Sequence, residues 1–472
     1  MIGNIYKNLM IKSLLNKKEM KHTKWFLGCL GLLLSANVAF AQDKAAYFNR
    51  NLHVANQLNP AILPERGYLA LPFIGGFRID GATDFTNLSD LIYAISADEK
   101  VLNDDSFYDQ MKPDNRMNLD MNVNVLSVGW WRGANFWSVN VGLKLSFGAS
   151  VPKSLFEYMR DLNLYEDSDL HMQNVDIRNF QLNTRAYSDI GVGYARQLTE
   201  RLSVGARAKL LLGFADIDFK VDEMLLDMNL PDYPDSPESW TTGANYGGYS
   251  AAKGHLRTAY NGGGLTFDEQ GQVDEFALDG FGIAGYGLGV DLGVAYSPID
   301  HLNLSASVTD LGFLKWREEA ISIASVDNSE QVEITYENYD RYLGDDIFNP
   351  SRYNLTEDKP ESYKTGLRTT LSVGAEYRLG AQEQFSVGSL YNIRFSEPFN
   401  RSTISLVGGY VPKGSSFNAS LAYSYIQSTG NALEALIKFG NSFIGANYVL
   451  AGEQASFGVY LGMSIPLGAI RE

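Results

Sequence analysis

The sequence predicts an all-β protein: a transmembrane, antiparallel, up-and-down β-barrel of about fourteen strands with an N-terminal hatch or plug segment. Three observations predict it. Apolar residues alternate with polar ones at period two, the links between strands alternate short and long, and charge falls on one face of the alternation.

The run Phe136 to Ala149, FWSVNVGLKLSFGA, shows the first. Trp137, Val139, Val141, Leu143, Leu145 and Phe147 are apolar; Ser138, Asn140, Gly142, Lys144 and Ser146 between them are small or polar. Period two marks a strand with two unlike faces. The run exceeds the ~5–6 residues usual in soluble strands. With 45 Gly and 27 Tyr in 472 residues, and 20% charged, the composition suits strands rather than disorder. A net charge of −16 gives no overall basic footprint for nucleic acid.

Residues 1–41 read as a signal peptide. Lys17, Lys18, Lys21 and Lys24 surround Met20, a second candidate start; an apolar run from Trp25 to Leu34 leads to Ala39-Phe40-Ala41. That run is shorter than the ~20 residues of a membrane helix. The single cysteine, Cys29, lies in it, so the exported chain is expected to have no disulfide and no cysteine-bound metal.

Residues 42–66 form a hatch-like segment, and 67–472 the barrel. Its first strand spans 67–79. Hairpins follow at 118–131 with 136–149, 186–198 with 202–221, 283–297 with 302–314, 367–379 with 385–395, 403–411 with 417–427 and 433–439 with 443–450. The strand 456–467 closes the series. Links within hairpins are a few residues. Those between the first hairpins are long, at 80–117, 150–183, 222–282 and 315–366, and are expected as extracellular loops. Short turns on one side and long loops on the other are the outer-membrane asymmetry. Short links near Glu397, Ser428 and Ala451 predict a low rim on one side.

The faces agree. Val204, Ala206, Ala208, Leu210 and Leu212 point one way, as do Leu288, Val290, Leu292, Val294 and Tyr296. Lys144, Arg207, Lys209, Asp291, Arg368, Glu376, Arg378, Glu434 and Lys438 point the other, as lumen-facing charges. A charge at the lipid midplane costs ~2–4 kcal/mol, which sends such residues inward. A soluble two-layer sheet would carry these charges outside, but gives no reason for the sorting of the links.

Other motifs have plainer readings. Gly280-Phe281-Gly282-Ile283-Ala284-Gly285 matches G-x-G-x-x-G, but a strand follows it where a nucleotide fold needs a helix. The glycines are read as letting the sheet curve or letting something approach the inner wall. Acidic loop residues include Asp104, Asp105, Asp109, Asp114, Asp222, Glu223, Asp227, Asp232, Asp235, Asp345 and Asp346. They lack calcium-loop spacing and read as solvated loops facing lipopolysaccharide. The amphipathic run Ser154 to Leu162 is expected as a helix capping the barrel mouth. His22, His53, His171, His255 and His301 show no metal spacing, and no G-x-S-x-G elbow occurs. No enzyme activity, cofactor or metal is expected.

After the signal come Ala45-Ala46-Tyr47-Phe48-Asn49 and then Ala55-Asn56-Gln57-Leu58-Asn59-Pro60-Ala61-Ile62-Leu63-Pro64. This resembles the FadL-type family of outer-membrane barrels, in which an Asn-Pro-Ala element lies in a hatch folded into a fourteen-stranded barrel. Asn59, Pro60 and Ala61 match that element. The layout is also similar to the FadL-like shuttle of the type IX secretion system and to related outer-membrane proteins that share the segment Ser307-Val308-Thr309-Asp310-Leu311-Gly312. No ligand-pocket residues of the fatty-acid transporters are matched. The chain also ends Gly468-Ala469-Ile470-Arg471-Glu472, without a terminal aromatic. The resemblance implies passive transport of hydrophobic or amphipathic small molecules across the outer membrane. A binding or secretion-accessory barrel, engaging a protein or glycan through its long loops, is the alternative, and a purely structural barrel a third. Expected partners are outer-membrane lipid and lipopolysaccharide, with a hydrophobic small-molecule ligand or a secretion partner.

Overall fold

The computed structural model describes residues 44–71, 75–83, 104–165, 172–229, 247–333, 355–398, 400–427, 429–451 and 456–470. The expected signal peptide, with His22 and Cys29, lies outside these residues, as do His171, Asp232, Asp235, Asp345 and Asp346.

Fourteen antiparallel strands close into a barrel. They are β1 (Gly67–Ala70 and Phe77–Thr83), β2 (Asp114–Arg132), β3 (Asn135–Pro152), β4 (Met172–Thr199), β5 (Leu202–Asn229), β6 (Gly285–Tyr296) and β7 (Leu302–Trp316). The rest are β8 (Lys364–Gly366 and Thr370–Leu379), β9 (Phe385–Arg394), β10 (Arg401–Tyr410), β11 (Phe417–Ile426), β12 (Gly430–Phe439), β13 (Ser442–Ala451) and β14 (Ser456–Met463 and Ile465–Leu467). Each pairs with its sequence neighbours. β14 closes on β1, with Gly67 opposite Leu467 and Phe77 opposite Leu461. Closure leaves no edge in the ring, which lipid requires because it offers backbone groups no partner. No described helix is long and apolar enough to cross a membrane.

The outer face is apolar and bare. Ile404, Leu406, Leu421, Ile437, Ile444 and Leu288 are each more than half exposed. Aromatics ring both ends of this belt. Trp130, Trp137, Tyr194, Tyr296, Tyr377, Phe385, Tyr410, Phe417 and Phe439 stand exposed at the short-turn end, and Tyr286, Phe313, Phe395 and Tyr425 at the long-link end. Two aromatic girdles flanking an aliphatic band are the signature of a wall in a bilayer.

The wall is uneven in height. β4 and β5 run 28 residues each, whereas β9 to β13 run ten. Two long links differ from open loops. Within 222–282, β5 continues to Asn229, the strand Gly247–Phe267 pairs with its upper half, and Val273–Gly282 pairs back on that strand. Within 315–366, Ile321–Glu333 pairs along Gly247–Phe267. These strands lie above the belt, so they lack the outward apolar row that marks a lipid-facing strand in sequence.

The expected mouth-capping helix also lies elsewhere. The helix Lys153–Tyr165 and the short helix Asp105–Asp109 pack on the outer side of β3, β4 and β5 above the belt. Phe107, Tyr108, Leu155 and Phe156 cover the outward residues Ala149, Val151, Ile177, Phe180 and Met224. The wall stays apolar above the lipid, and this helical jacket replaces lipid there.

The belt predicts a depth-dependent cost. Leu406→Arg or Leu421→Arg, in mid-strand, should lose about 2–4 kcal/mol, and Leu198→Arg, beside a short turn, about 0–1 kcal/mol. Urea titration of the barrel folded in liposomes measures both.

Candidate functional site

The lumen contains residues 44–66. The helices Lys44–Tyr47 and His53–Leu58 and the turn after them lie against the inner wall. Ala45, Ala46, Tyr47, Phe48, Leu52 and Ala55 pack on Leu390, Val407, Ala422, Leu436, Phe443 and Tyr460. The segment's backbone-to-backbone hydrogen bonds are internal turns, and each tie to the wall involves a side chain. The Ala45 amide donates to Glu434 Oε1 (2.9 Å), and Ser307 Oγ donates to the Leu58 carbonyl (3.0 Å). At the short-turn end, the Gly414 amide donates to Glu65 (3.0 Å) and the Trp131 indole to the Pro64 carbonyl (3.2 Å).

Asn59, Pro60 and Ala61 form a tight turn. The Ala61 amide donates to Asn59 Oδ1 (2.9 Å), and Asn59 Nδ2 donates to the Tyr47 hydroxyl (3.0 Å). An Asn side chain mimics a turn in this way, and Pro fixes φ beside it. Two wall glycines admit the turn. A Cβ on Gly205 would lie 2.3 Å from the Pro60 carbonyl oxygen, and one on Gly293 would lie 2.1 Å from Asn59 Oδ1. The glycines of the G-x-G-x-x-G run serve other ends: Gly285, for one, faces the Trp316 ring.

Asn56, not singled out in the sequence, joins this turn to the wall. Its Nδ2 donates to the carbonyls of Pro60 (3.0 Å) and Ile62 (3.1 Å). Arg207 donates to Asn56 Oδ1 (3.0 Å) and to the Asn56 carbonyl (3.1 Å). Arg207 also pairs with Asp291 (3.0 Å), Asp291 with Lys209 (2.7 Å), Lys209 with Asp310 (2.7 Å), Asp310 with Lys144 (2.7 Å) and Lys144 with Asp189 (3.5 Å). Three cations thus meet three carboxylates in one buried chain.

Asp310 reaches the chain through a bulge in β7 between Val308 and Leu311, where it takes a left-handed φ of 56°. Asp tolerates that conformation better than most residues. Its amide donates to Asp291 (2.7 Å) and its carbonyl accepts from Thr369 (2.9 Å). The Ser307 to Gly312 segment therefore encodes an inward kink that delivers a carboxylate.

The other inward charges are scattered. Glu376 pairs with Arg378 (3.2 Å) near the short turns, and Lys438 donates to the Gly440 carbonyl (2.9 Å). Glu434 accepts from the Tyr460 hydroxyl (2.9 Å) beneath the N-terminal segment. Arg368 pairs with Asp120 (2.9 Å) toward the long-link end. There Arg78, Arg394 and Arg401 gather on Asp80, a group that the sequence reading missed. Its signal was present: Arg78 and Asp80 occupy alternate positions of Phe77-Arg78-Ile79-Asp80.

Between the N-terminal segment and this arginine group lies a cavity of about 170 Å³. Val54, Leu58, Leu390 and Phe443 contribute apolar surface; Lys44, Arg78, Lys144, Arg207, Lys209, Arg394 and Arg401 outnumber Asp80, Asp189 and Asp310 along the walls. Above the belt, Asp218 faces His255 (3.4 Å) and Arg257 (2.8 Å). Burial pushes the Asp218 carboxyl up, but these two partners outweigh it and hold it below the usual carboxylate range. No group of three His, Cys, Asp or Glu able to hold a metal occurs among the described residues.

A family model described as a family of unknown function, DUF5723, matches residues 60–447. No curated protein matches the chain significantly. Among solved structures, the chain is similar to a deltaS2S3 mutant of the TodX monoaromatic hydrocarbon channel, at 11% identity and TM-score 0.42, covering 88% of this chain and 94% of that one. It is similar to the Ralstonia pickettii toluene transporter TbuX at 10% and 0.41, covering 87% and 92%. For the Pseudomonas putida toluene transporter TodX the values are 10% and 0.38, covering 87% and 93%.

Breaking the ion chain strands a buried charge. Arg207→Gln should cost about 3–5 kcal/mol in urea unfolding, and adding Asp291→Asn should restore part of it, because the orphaned carboxylate is then removed.

Proposed function

We propose that this chain, which belongs to the DUF5723 family of unknown function, is an outer-membrane channel for passive entry of small amphipathic molecules, with residues 44–66 as its hatch. The short turns then face the periplasm, and the tall strands and jacket face outward among lipopolysaccharide. The observation that carries the reading is the way residues 44–66 sit within the ring. They make no β-pairing with it among the described residues, and side-chain hydrogen bonds and two apolar patches hold them. Such a segment can shift while the barrel stays closed. The cavity beside it joins apolar surface to cationic walls, which suits a molecule with both characters.

The reading assigns roles to the inward residues. Asn59, Pro60 and Ala61 make the turn that fits the Gly205 and Gly293 wall, and Arg207 latches it through Asn56. Lys144, Lys209 and Asp291 hold the latch in place. Arg368 lines the outer route; Glu376, Arg378, Glu434 and Lys438 line the inner one. The strands above the belt favour a second reading, in which the tall side engages a protein or glycan. Deletion of 247–282 without loss of any surface interaction would set that reading aside.

Removal of residues 44–66 should raise solute flux through barrels reconstituted in liposomes by an order of magnitude or more, and Gly205→Val, which displaces the turn, should raise it in part. Swelling assays read both. Flux unchanged from the intact chain, in barrels that still run as folded species on unheated gels, would refute the hatch.

A further inference from the structure

We propose that the hairpin of Gly247–Phe267 and Val273–Gly282 rests on the outer leaflet, where Phe281 and Leu278 meet the headgroup layer of the lipid. This contact needs the barrel in a bilayer and is independent of the channel reading. The hairpin starts on the wall. Along Gly247–Phe267, Arg257 stacks on Tyr363 (3.9 Å) and Ala259 joins Trp316 in a core on the lumen side. Leu256 alternates to the outer face and packs there with Leu265, Phe276, Ala324 and Leu355. The chain beyond Tyr260 therefore lies outside the wall. It leaves through Gly262, at a φ of +104° that side chains rarely adopt. The returning strand sets Leu278 opposite Gly263 and Gly282 opposite Asn261. Near the tip, the Val273 amide donates to the Leu355 carbonyl (3.1 Å).

The base of the hairpin reaches the upper aromatic girdle. Gly213 of β5 faces the Trp316 ring in the lumen, so Phe214 beside it turns outward. Leu212, the preceding outward residue, pairs with Tyr286 of the girdle. At ~3.4 Å per residue and a tilt of ~45°, Phe214 stands roughly 5 Å above that level. The Phe281 ring lies 5.1 Å from the Phe214 ring. The polar layer on each side of a bilayer's hydrocarbon is about 5–8 Å deep, which brings it within reach of Phe281.

Exposure marks the same residues. Elsewhere above the girdle the outward apolar face is covered, by the helical jacket on β3 to β5 and by Leu265 and Phe276 of the hairpin itself. Among the described residues there, the large apolar side chains left open are Tyr249, Leu278 (48%) and Phe281 (74%). Tyr249 carries a hydroxyl and stands high on the sheet, opposite Asp227. Leu278 and Phe281 instead extend the girdle patch of Tyr286 and Phe313. Aromatic side chains are favoured at headgroup depth, whereas apolar patches open to water are not. Asp279, exposed between the two, keeps the contact shallow, because a carboxylate stays among headgroups. Asp268 and Glu269 sit at the tip, away from the base.

The test uses the full chain in phosphatidylcholine liposomes, with Cys29→Ser so that each label is unique. Nitroxides at Phe281→Cys and Leu278→Cys are compared with Tyr286→Cys in the girdle, Leu292→Cys in the belt and Lys253→Cys, which is exposed beside Asp327. Power saturation with oxygen and with a nickel chelate reads depth. Position 281 should match 286, position 278 should lie slightly shallower, and both should favour oxygen over nickel relative to 253. With the label at 278, Phe281→Asp should lower the seated fraction about tenfold and bring nickel access to the level of 253. Each variant is checked as a folded species on unheated gels. Nickel access at 278 and 281 equal to that at 253 would overturn the proposal. So would exclusion of both reagents, as under a protein cover, or a 278 signal unchanged by Phe281→Asp.

Discussion

Lipid offers no hydrogen-bond partner to a peptide group, and the rest of this structure follows from that constraint. A ring of strands must close, so β14 returns to β1 in two registered blocks, Gly67 to Leu467 and Phe77 to Leu461. A closed ring has two faces. The outer one must be apolar, which the exposed aliphatic belt and its aromatic girdles satisfy. Charged side chains in the middle of a membrane-spanning strand are then sent inward, whatever their later use. The crowded charge of the lumen is first a consequence of the solvent outside.

Charges confined to a small interior must be paired, hydrated or bound. Three solutions coexist here. The Arg207 to Asp189 chain is paired within itself. Glu434 and Ser307 are used by residues 44–66, through the Ala45 amide and the Leu58 carbonyl. Arg394 and Arg401 gather on Asp80, and Arg368 and Arg394 on Asp120, in a third cluster at the low rim. The first two solutions meet at Arg207, which holds Asp291 with one nitrogen and Asn56 with another. The N-terminal segment and the wall's ion chain therefore share one side chain.

The barrel was legible in the sequence because its solvent imposes a period of two on each lipid-facing stretch. Trp137 to Phe147 and Leu421 to Tyr425 announce themselves in that way. Above the belt the rule lapses, so Gly247–Phe267 and Ile321–Glu333 read as loop, and β4 and β5 read as shorter than they are. The helix Lys153–Tyr165 was visible by its amphipathic run, but the surface it covers was not, because nothing local says that the outer wall stays apolar past the lipid. Within the lumen, alternation identified which charges face inward but not which of them meet. Arg394 and Arg401 lie on adjacent strands, yet their shared partner Asp80 is more than three hundred positions away. Asp310 was hidden differently: it reaches the ion chain only because the bulge after Val308 shifts the strand's register.

The uneven wall ties these features together. Strands β4 and β5, with the strands paired above them, raise one side well past the belt, and the helical jacket shields their apolar outer face there. The opposite side, β9 to β13, stops near the girdle. Arg394 and Arg401 stand at this low side, where β9 ends and β10 begins. The neutral ion chain lies deeper, against Asn56.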